Sequence, residues 1–102
     1  MPPVKYARAI FAVHYYFGDE FVYIVGGSDQ INKGIKECEK YEISTQKWSS
    51  FGHLQNPRKG AALIEVDNSL YIFGGRNDDG SIVKQVEKKS LSSDGEFNFV
   101  NI

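Results

Sequence analysis

Two short stretches of this chain are built alike. FVYIVGG, residues 21–27, and SLYIFGG, residues 69–75, each run an apolar, strand-like segment straight into a pair of glycines, with a polar stretch after it. Glycine in or beside a strand costs backbone entropy and packs nothing, so a strand that ends on two of them needs a geometric reason. Gly26 and Gly74 lie 48 residues apart. A period in this range is the signature of a repeat architecture and constrains the fold more than any local propensity.

The similarity extends well beyond the glycines. At the same interval, Glu39-Lys40 falls on Glu87-Lys88, Ile43 on Leu91 and Ser44 on Ser92. With one inserted residue, KWSSF from Lys47 falls on EFNFV from Glu96, so Trp48 meets Phe97. Upstream, Arg8 falls on Arg58 and Ala12-Val13 on Ala62-Leu63 if the first hairpin is two residues longer.

Each unit divides into four short runs separated by turn signals. In the second unit these are GAALIEV, LYIFGG, IVKQVEKKSL and EFNFVNI, parted by Asp67-Asn68, RNDDGS and SSDG. The first unit runs ARAIFAVHYYF, FVYIVGG, IKECEKYEIS and KWSSFGHL, with GDE, SDQINKG and TQ between them. Short runs rich in aromatic and β-branched residues, with turns at this spacing, predict an all-β chain. The first two runs of each unit are almost wholly apolar, which predicts strands covered on both faces. The last two are more polar and predict an outer rim, with Lys36, Glu37, Glu39 and Lys40 as a solvated edge. The expected units are residues 1–53 and 54–102.

The order diglycine, Tyr41, Trp48, Pro57-Arg58, then Leu70-Tyr71-Ile72-Phe73-Gly74-Gly75 resembles the kelch motif over nearly the whole chain. The resemblance implies two consecutive four-stranded antiparallel kelch blades, part of a β-propeller. It also implies that each diglycine ends its second strand where backbone and side chains crowd together. Arg58 is expected to bond backbone carbonyls near the junction of the blades. The second repeat departs from the pattern, with Lys89 in place of the tyrosine and Phe97 in place of the tryptophan. Different packing between blades is expected there.

Chemistry is sparse. Net charge is −1, which gives no overall footprint for nucleic acid or an anionic membrane. No apolar run reaches the length of a membrane span, and the first residues do not read as a signal peptide. Cys38 is the single cysteine, so neither an internal disulfide nor a cysteine cluster for zinc is expected, and a cytoplasmic location is the expectation. His14 and His53 have no second histidine or acid at ligand spacing. RNDDG fails the calcium-loop spacing, and the diglycines lack the Gly-Lys-Ser/Thr of a phosphate loop. SSDGEF reads as a hairpin turn. No catalytic residue, metal or cofactor is expected, and the chain is not read as an enzyme.

The leading expectation for function is a protein-binding module. By the resemblance, the loops that join second to third strands, together with the link between units, form one recognition face. The candidate residues are Ser28, Asp29, Gln30, Asn32 and Lys33 in the first loop, and His53, Gln55, Asn56 and Arg58 in the link. Arg76, Asn77, Asp78 and Asp79 belong to the second loop. These loops are polar, mixed in charge and different between repeats, which suits recognition by hydrogen bonds and ion pairs. The alternatives are a structural subunit held through open blade faces, or part of a kelch-fold enzyme. Propellers close with four to eight blades, so further blades from copies of this chain or from other chains are expected.

Overall fold

The computed structural model describes residues 8, 9, 11–15, 20–93 and 95–100. It contains β1 (Ala12–Tyr15), β2 (Phe21–Val25), β3 (Glu37–Glu42), β4 (Lys47–His53), β5 (Ala62–Val66), β6 (Ser69–Phe73), β7 (Glu87–Ser90) and β8 (Asn98–Phe99). The strands form two four-stranded sheets, each antiparallel throughout and ordered as in the sequence, β1-β2-β3-β4 and β5-β6-β7-β8. The arrangement is the one expected of two consecutive kelch-like blades, and no helix occurs among the described residues. Ile10, most of the first hairpin turn and Asp94 in the last one lie outside the described residues.

The hairpins follow from their turn residues. Val66 pairs with Ser69 across Asp67-Asn68, whose φ angles are 48° and 63°. Two consecutive left-handed residues make the tight turn that matches strand twist, and Asn and Asp tolerate that conformation best after glycine. Isolated bridges recur at equivalent places: Ala9–Ser28 and Ser28–Gly34 in blade 1, Lys59–Arg76 and Arg76–Ile82 in blade 2. The repeat therefore governs loop closure as well as strand order.

One face of each sheet meets the other. Register places Ala12, Val25 and Cys38 on the covered face of blade 1, with His14, Tyr23 and Lys40 in the next row. Leu63, Ile72 and Glu87 share the covered face of blade 2 with Glu65, Leu70 and Lys89. Between the sheets Tyr23, Val25, Phe51, Leu54, Leu70, Ile72 and Phe97 form one buried cluster. The Phe51 and Phe97 rings meet edge to face, 6.1 Å between centroids, a favoured aromatic geometry. The opposite faces remain open. The apolar runs of β1 and β5 are therefore covered on one side only, and β5 alternates exposed and half-buried residues.

Each blade is pinned by a buried arginine. Arg58 donates to the Gly74 carbonyl at 3.0 Å, to the Gln85 carbonyl, and to Glu87 Oε2 at 2.9 Å. Arg8 does the same in blade 1, donating to Gly26 at 2.7 Å, Glu37 at 2.8 Å and the Glu39 carboxylate at 2.6 Å. The expected carbonyl bonds of Arg58 are present. Glu39 is not a solvated edge residue: it is buried against Arg8, as an acid in a dry site must be when a cation compensates it.

Candidate functional site

The two loops after the second strands share a backbone device. The Asp29 N–H donates to the Lys33 carbonyl at 2.9 Å, and the equivalent Asn77 N–H donates to the Ser81 carbonyl at 2.8 Å. Asp29 Oδ1 accepts the N–H groups of Ile31 and Lys33 at 3.0 and 2.9 Å. Asp79 Oδ1 accepts the N–H and hydroxyl of Ser81 at 2.9 and 2.6 Å. These bonds hold the Asp79 carboxyl below its ordinary range. Short polar side chains thus close both loops internally and leave their tips outward.

The loops lean on each other. Asp78 Oδ1 accepts the Gly34 N–H at 2.6 Å and lies 3.7 Å from Lys59 Nζ, which also donates to the Asn32 carbonyl at 3.2 Å. Between them lies an open cleft of about 710 Å³, lined by Asn32, Lys59, Arg76, Asn77, Asp78 and Asp79, with Ile82 and three glycines. Exposed Arg76 is steadied by the Gly80 carbonyl at 2.9 Å. Cation, acid, amide and one apolar side chain therefore converge on a single concave surface at the seam of the two blades.

Five of the sequence candidates, Asn32, Arg76, Asn77, Asp78 and Asp79, line this cleft. Asp29 and Gln30 border a smaller hollow beside Arg8, and Lys33 is exposed without lining the cleft. Two candidates require correction. Arg58 has no exposed surface because its guanidinium is consumed by Glu87 and two carbonyls. Ser28 is buried between its bridges to Ala9 and Gly34. Neither can reach a partner directly.

The link residues serve the seam. Gln55 N–H donates to Glu87 Oε1 at 2.6 Å, its side-chain amide donates to the Phe97 carbonyl at 2.8 Å, and Asn56 N–H reaches Glu87 Oε2 at 3.4 Å. His53 pairs with Glu96 at 2.9 Å on the surface. Sequence reasoning missed Lys59 and Ile82, which line the cleft, and did not single out Ile31 in the first loop. Lys59 could have been found by its place beside Arg58 at the same loop end. The two isoleucines stand out only because they are apolar in otherwise polar loops, and Ile31 is 81% exposed.

No group of His, Cys, Asp and Glu that could hold a metal occurs among the described residues. Cys38 is buried in the seam, and burial pushes its thiol up to about 12. No helix is long and apolar enough to cross a membrane among the described residues.

A sequence model of the kelch motif matches residues 57–88. Kelch-like protein 40 of Xenopus tropicalis is 29% identical over 93 residues, covering 84% of this chain and 14% of its own length. Beta-scruin of Limulus polyphemus is 28% identical over 82 residues, 74% of this chain and 9% of its own. A tRNA wybutosine-synthesizing protein 2/3/4 of Oryza sativa subsp. japonica is 34% identical over 62 residues, 58% of this chain and 6% of its own. The chain therefore spans a small part of the length of the relatives it matches. With the repeat and the two blades in place, the chain carries a kelch motif and is similar to kelch-repeat proteins.

Proposed function

We propose that the chain is a protein-recognition module whose partner seats in the cleft between the two loops. The observation that carries this reading is the convergence of Arg76, Asp78, Asp79, Asn32 and Ile82 on one concavity whose walls are fixed by backbone bonds. Preformed walls reduce the ordering cost of binding, and a mixed set of charges with one apolar contact favours selectivity over bulk adhesion. The kelch motif and the kelch-like and scruin relatives support a protein-interaction module.

Selection of binders from a random peptide library on the folded chain tests the reading. Amide shift perturbations by a selected peptide should map to residues 31–33, 59 and 76–82. Arg76→Ala should weaken that peptide at least tenfold, since arginine anchors in concave sites carry disproportionate binding energy. Perturbations confined to the strands or to the outer hairpins would refute it.

A further inference from the structure

The cleft is shared between two blades, and few bonds set its width. Loop 1, residues 28–34, closes on itself at the Ser28–Gly34 bridge, where Asp29 N–H donates to the Lys33 carbonyl and Ile35 N–H to the Gly27 carbonyl, each at 2.9 Å. The residue between two such bonds turns its own N–H away from its ladder. Here that group is Gly34 N–H, and it donates across the seam to Asp78 Oδ1 at 2.6 Å. A β-carbon on Gly34 would collide with Pro57 and lie 3.3 Å from the same oxygen. The absence of a side chain lets the link and loop 2 close on this amide.

Blade 2 answers with a second bond. The Lys59–Arg76 bridge joins the link to loop 2, residues 76–82. It holds Lys59, whose ammonium lies 3.7 Å from Asp78 Oδ1 and donates to the Asn32 carbonyl of loop 1 at 3.2 Å. Gly34 N–H, the Asp78 carboxylate, the Lys59 ammonium and the Asn32 carbonyl thus form one polar bridge that leaves loop 1 and returns to it. No backbone bond joins residues 28–34 to residues 76–82 among the described residues.

The other charged and apolar groups of the cleft stand outside that bridge. Asp79 closes loop 2 on Ser81. Arg76 spends one guanidinium nitrogen on the Gly80 carbonyl and is exposed beyond it. Ile82 is 59% exposed.

We infer that Asp78 and Lys59 are positioning residues: they clasp the two loops and set the width of the cleft, leaving Arg76 and Ile82 to meet the partner. This rests on the cleft as the binding surface. An exposed ion pair contributes little by itself, but a carboxylate on a backbone N–H makes a short, directional bond. A bond that suppresses opening of a loop raises affinity by lowering the ordering cost of binding, without touching the ligand.

Two readouts on the whole chain test the clasp. Without any ligand, Asp78→Ala and Lys59→Met should each speed hydrogen exchange of the Gly34 amide and move its proton resonance upfield. The Asp29 and Ile35 amides, bonded within blade 1, should keep their protection. Asp78→Asn retains an acceptor for Gly34 and should exchange more slowly than Asp78→Ala. A peptide selected on the native chain and mapped to the cleft should then bind Asp78→Ala about tenfold more weakly, and Asp78→Asn less than about threefold more weakly. Asp78→Ala, Lys59→Met and the double variant should lose about the same affinity, because breaking either end opens one clasp. Circular dichroism checks folding, and Asp78→Ser replaces Asp78→Ala where that variant fails to fold. A Gly34 amide indifferent to both substitutions overturns the inference. So do losses that multiply in the double variant, since each side chain would then touch the peptide for itself, and an Asp78→Asn variant as weak as Asp78→Ala. A peptide that maps to the cleft but binds every variant equally overturns the clasp and leaves the cleft as the binding surface. A peptide that maps elsewhere overturns both.

Discussion

Gly26 and Gly74 hold the same place in two copies of one fold, with φ angles of 71° and 68°, yet their surroundings differ. Gly26 is pressed by the Arg58 carbonyl and by Leu54, both from the segment that leads into blade 2, while the space beside Gly74 is open. The repeat dictates backbone conformation, and the neighbouring blade dictates crowding. The buried arginines repeat the lesson. Arg58–Glu87 is fully enclosed and ties down the link through Gln55 and Asn56, whereas Arg8–Glu39 lies in the blade whose outer face is open.

The largest test of this contrast removes the arginines. Arg58→Ala strands the Glu87 carboxylate in a dry site and frees three hydrogen bonds, an expected loss of about 3–5 kcal/mol. Arg8→Ala strands Glu39 in the same way, but that carboxylate is 4% exposed against 0% for Glu87, so a loss at the lower end, about 3 kcal/mol, is expected. Denaturant titration of both variants measures the difference. Equal losses would show that the second blade contributes nothing to the special standing of Arg58.

The glycines give the next largest effect. Gly26→Ala incurs left-handed backbone strain and a contact with the Arg58 oxygen that must shift, together about 2–3 kcal/mol. Gly74→Ala incurs the backbone strain alone, about 1 kcal/mol. Denaturant midpoints of the two variants measure the difference. If the two midpoints fall together, crowding at Gly26 is relieved by relaxation and the comparison fails.

Strand order, hairpin turns and the diglycine ends were legible because they depend on local pattern, and the repeat supplied two independent readings of it. The partners of the arginines were not legible. Glu39 and Glu87 sit in runs that alternate charge with apolar residues, and such runs read as solvated until the arginine some 30 residues upstream folds over them. Crowding at the second diglycine falls on Gly75, against Arg58, Ala61 and Lys59, and not on Gly74, a difference that the repeat, which implies equal surroundings, does not reveal. Five cleft residues were legible as loop polarity. Lys59 was hidden beside an arginine that claimed the functional reading, and Arg58 and Ser28 look polar in sequence while serving the interior.

Cys38 sharpens the comparison in a third way, since it lies on the covered face while its counterpart Val86 is only half-buried. Burial raises the thiol from 9.0 to about 12. The folded state therefore keeps the proton that the unfolded chain releases. Its contribution is intact below pH 9 and is lost as pH rises from 9 toward 12, by up to about 1.4 kcal/mol per pH unit. Stability measured from pH 8 to 10.5 should fall more steeply for the native chain than for Cys38→Ala. Thiol labelling at pH 8 should require opening of the seam, and labelling at the rate of a free cysteine would mean the blades part readily.

The smallest effect separates two histidine pairs of equal length. His14–Glu65 and His53–Glu96 both measure 2.9 Å and both join blade 1 to blade 2. The first lies between the inner strands, with side chains 13% and 31% exposed; the second is about half exposed on both sides. Equal distance does not mean equal strength, because an exposed pair exchanges its bond with water and is screened by salt, whereas a sheltered one is not. Double-mutant cycles to alanine at pH 6 should give a coupling of about 1 kcal/mol for His14–Glu65. For His53–Glu96 the coupling should be about 0.3 kcal/mol or less. Raising the salt to 1 M should erase the smaller coupling and leave most of the larger. If the surface pair couples as strongly as the sheltered one, the blades are joined at their outer rim as firmly as at their centre, and the seam is stiffer than its buried contacts require.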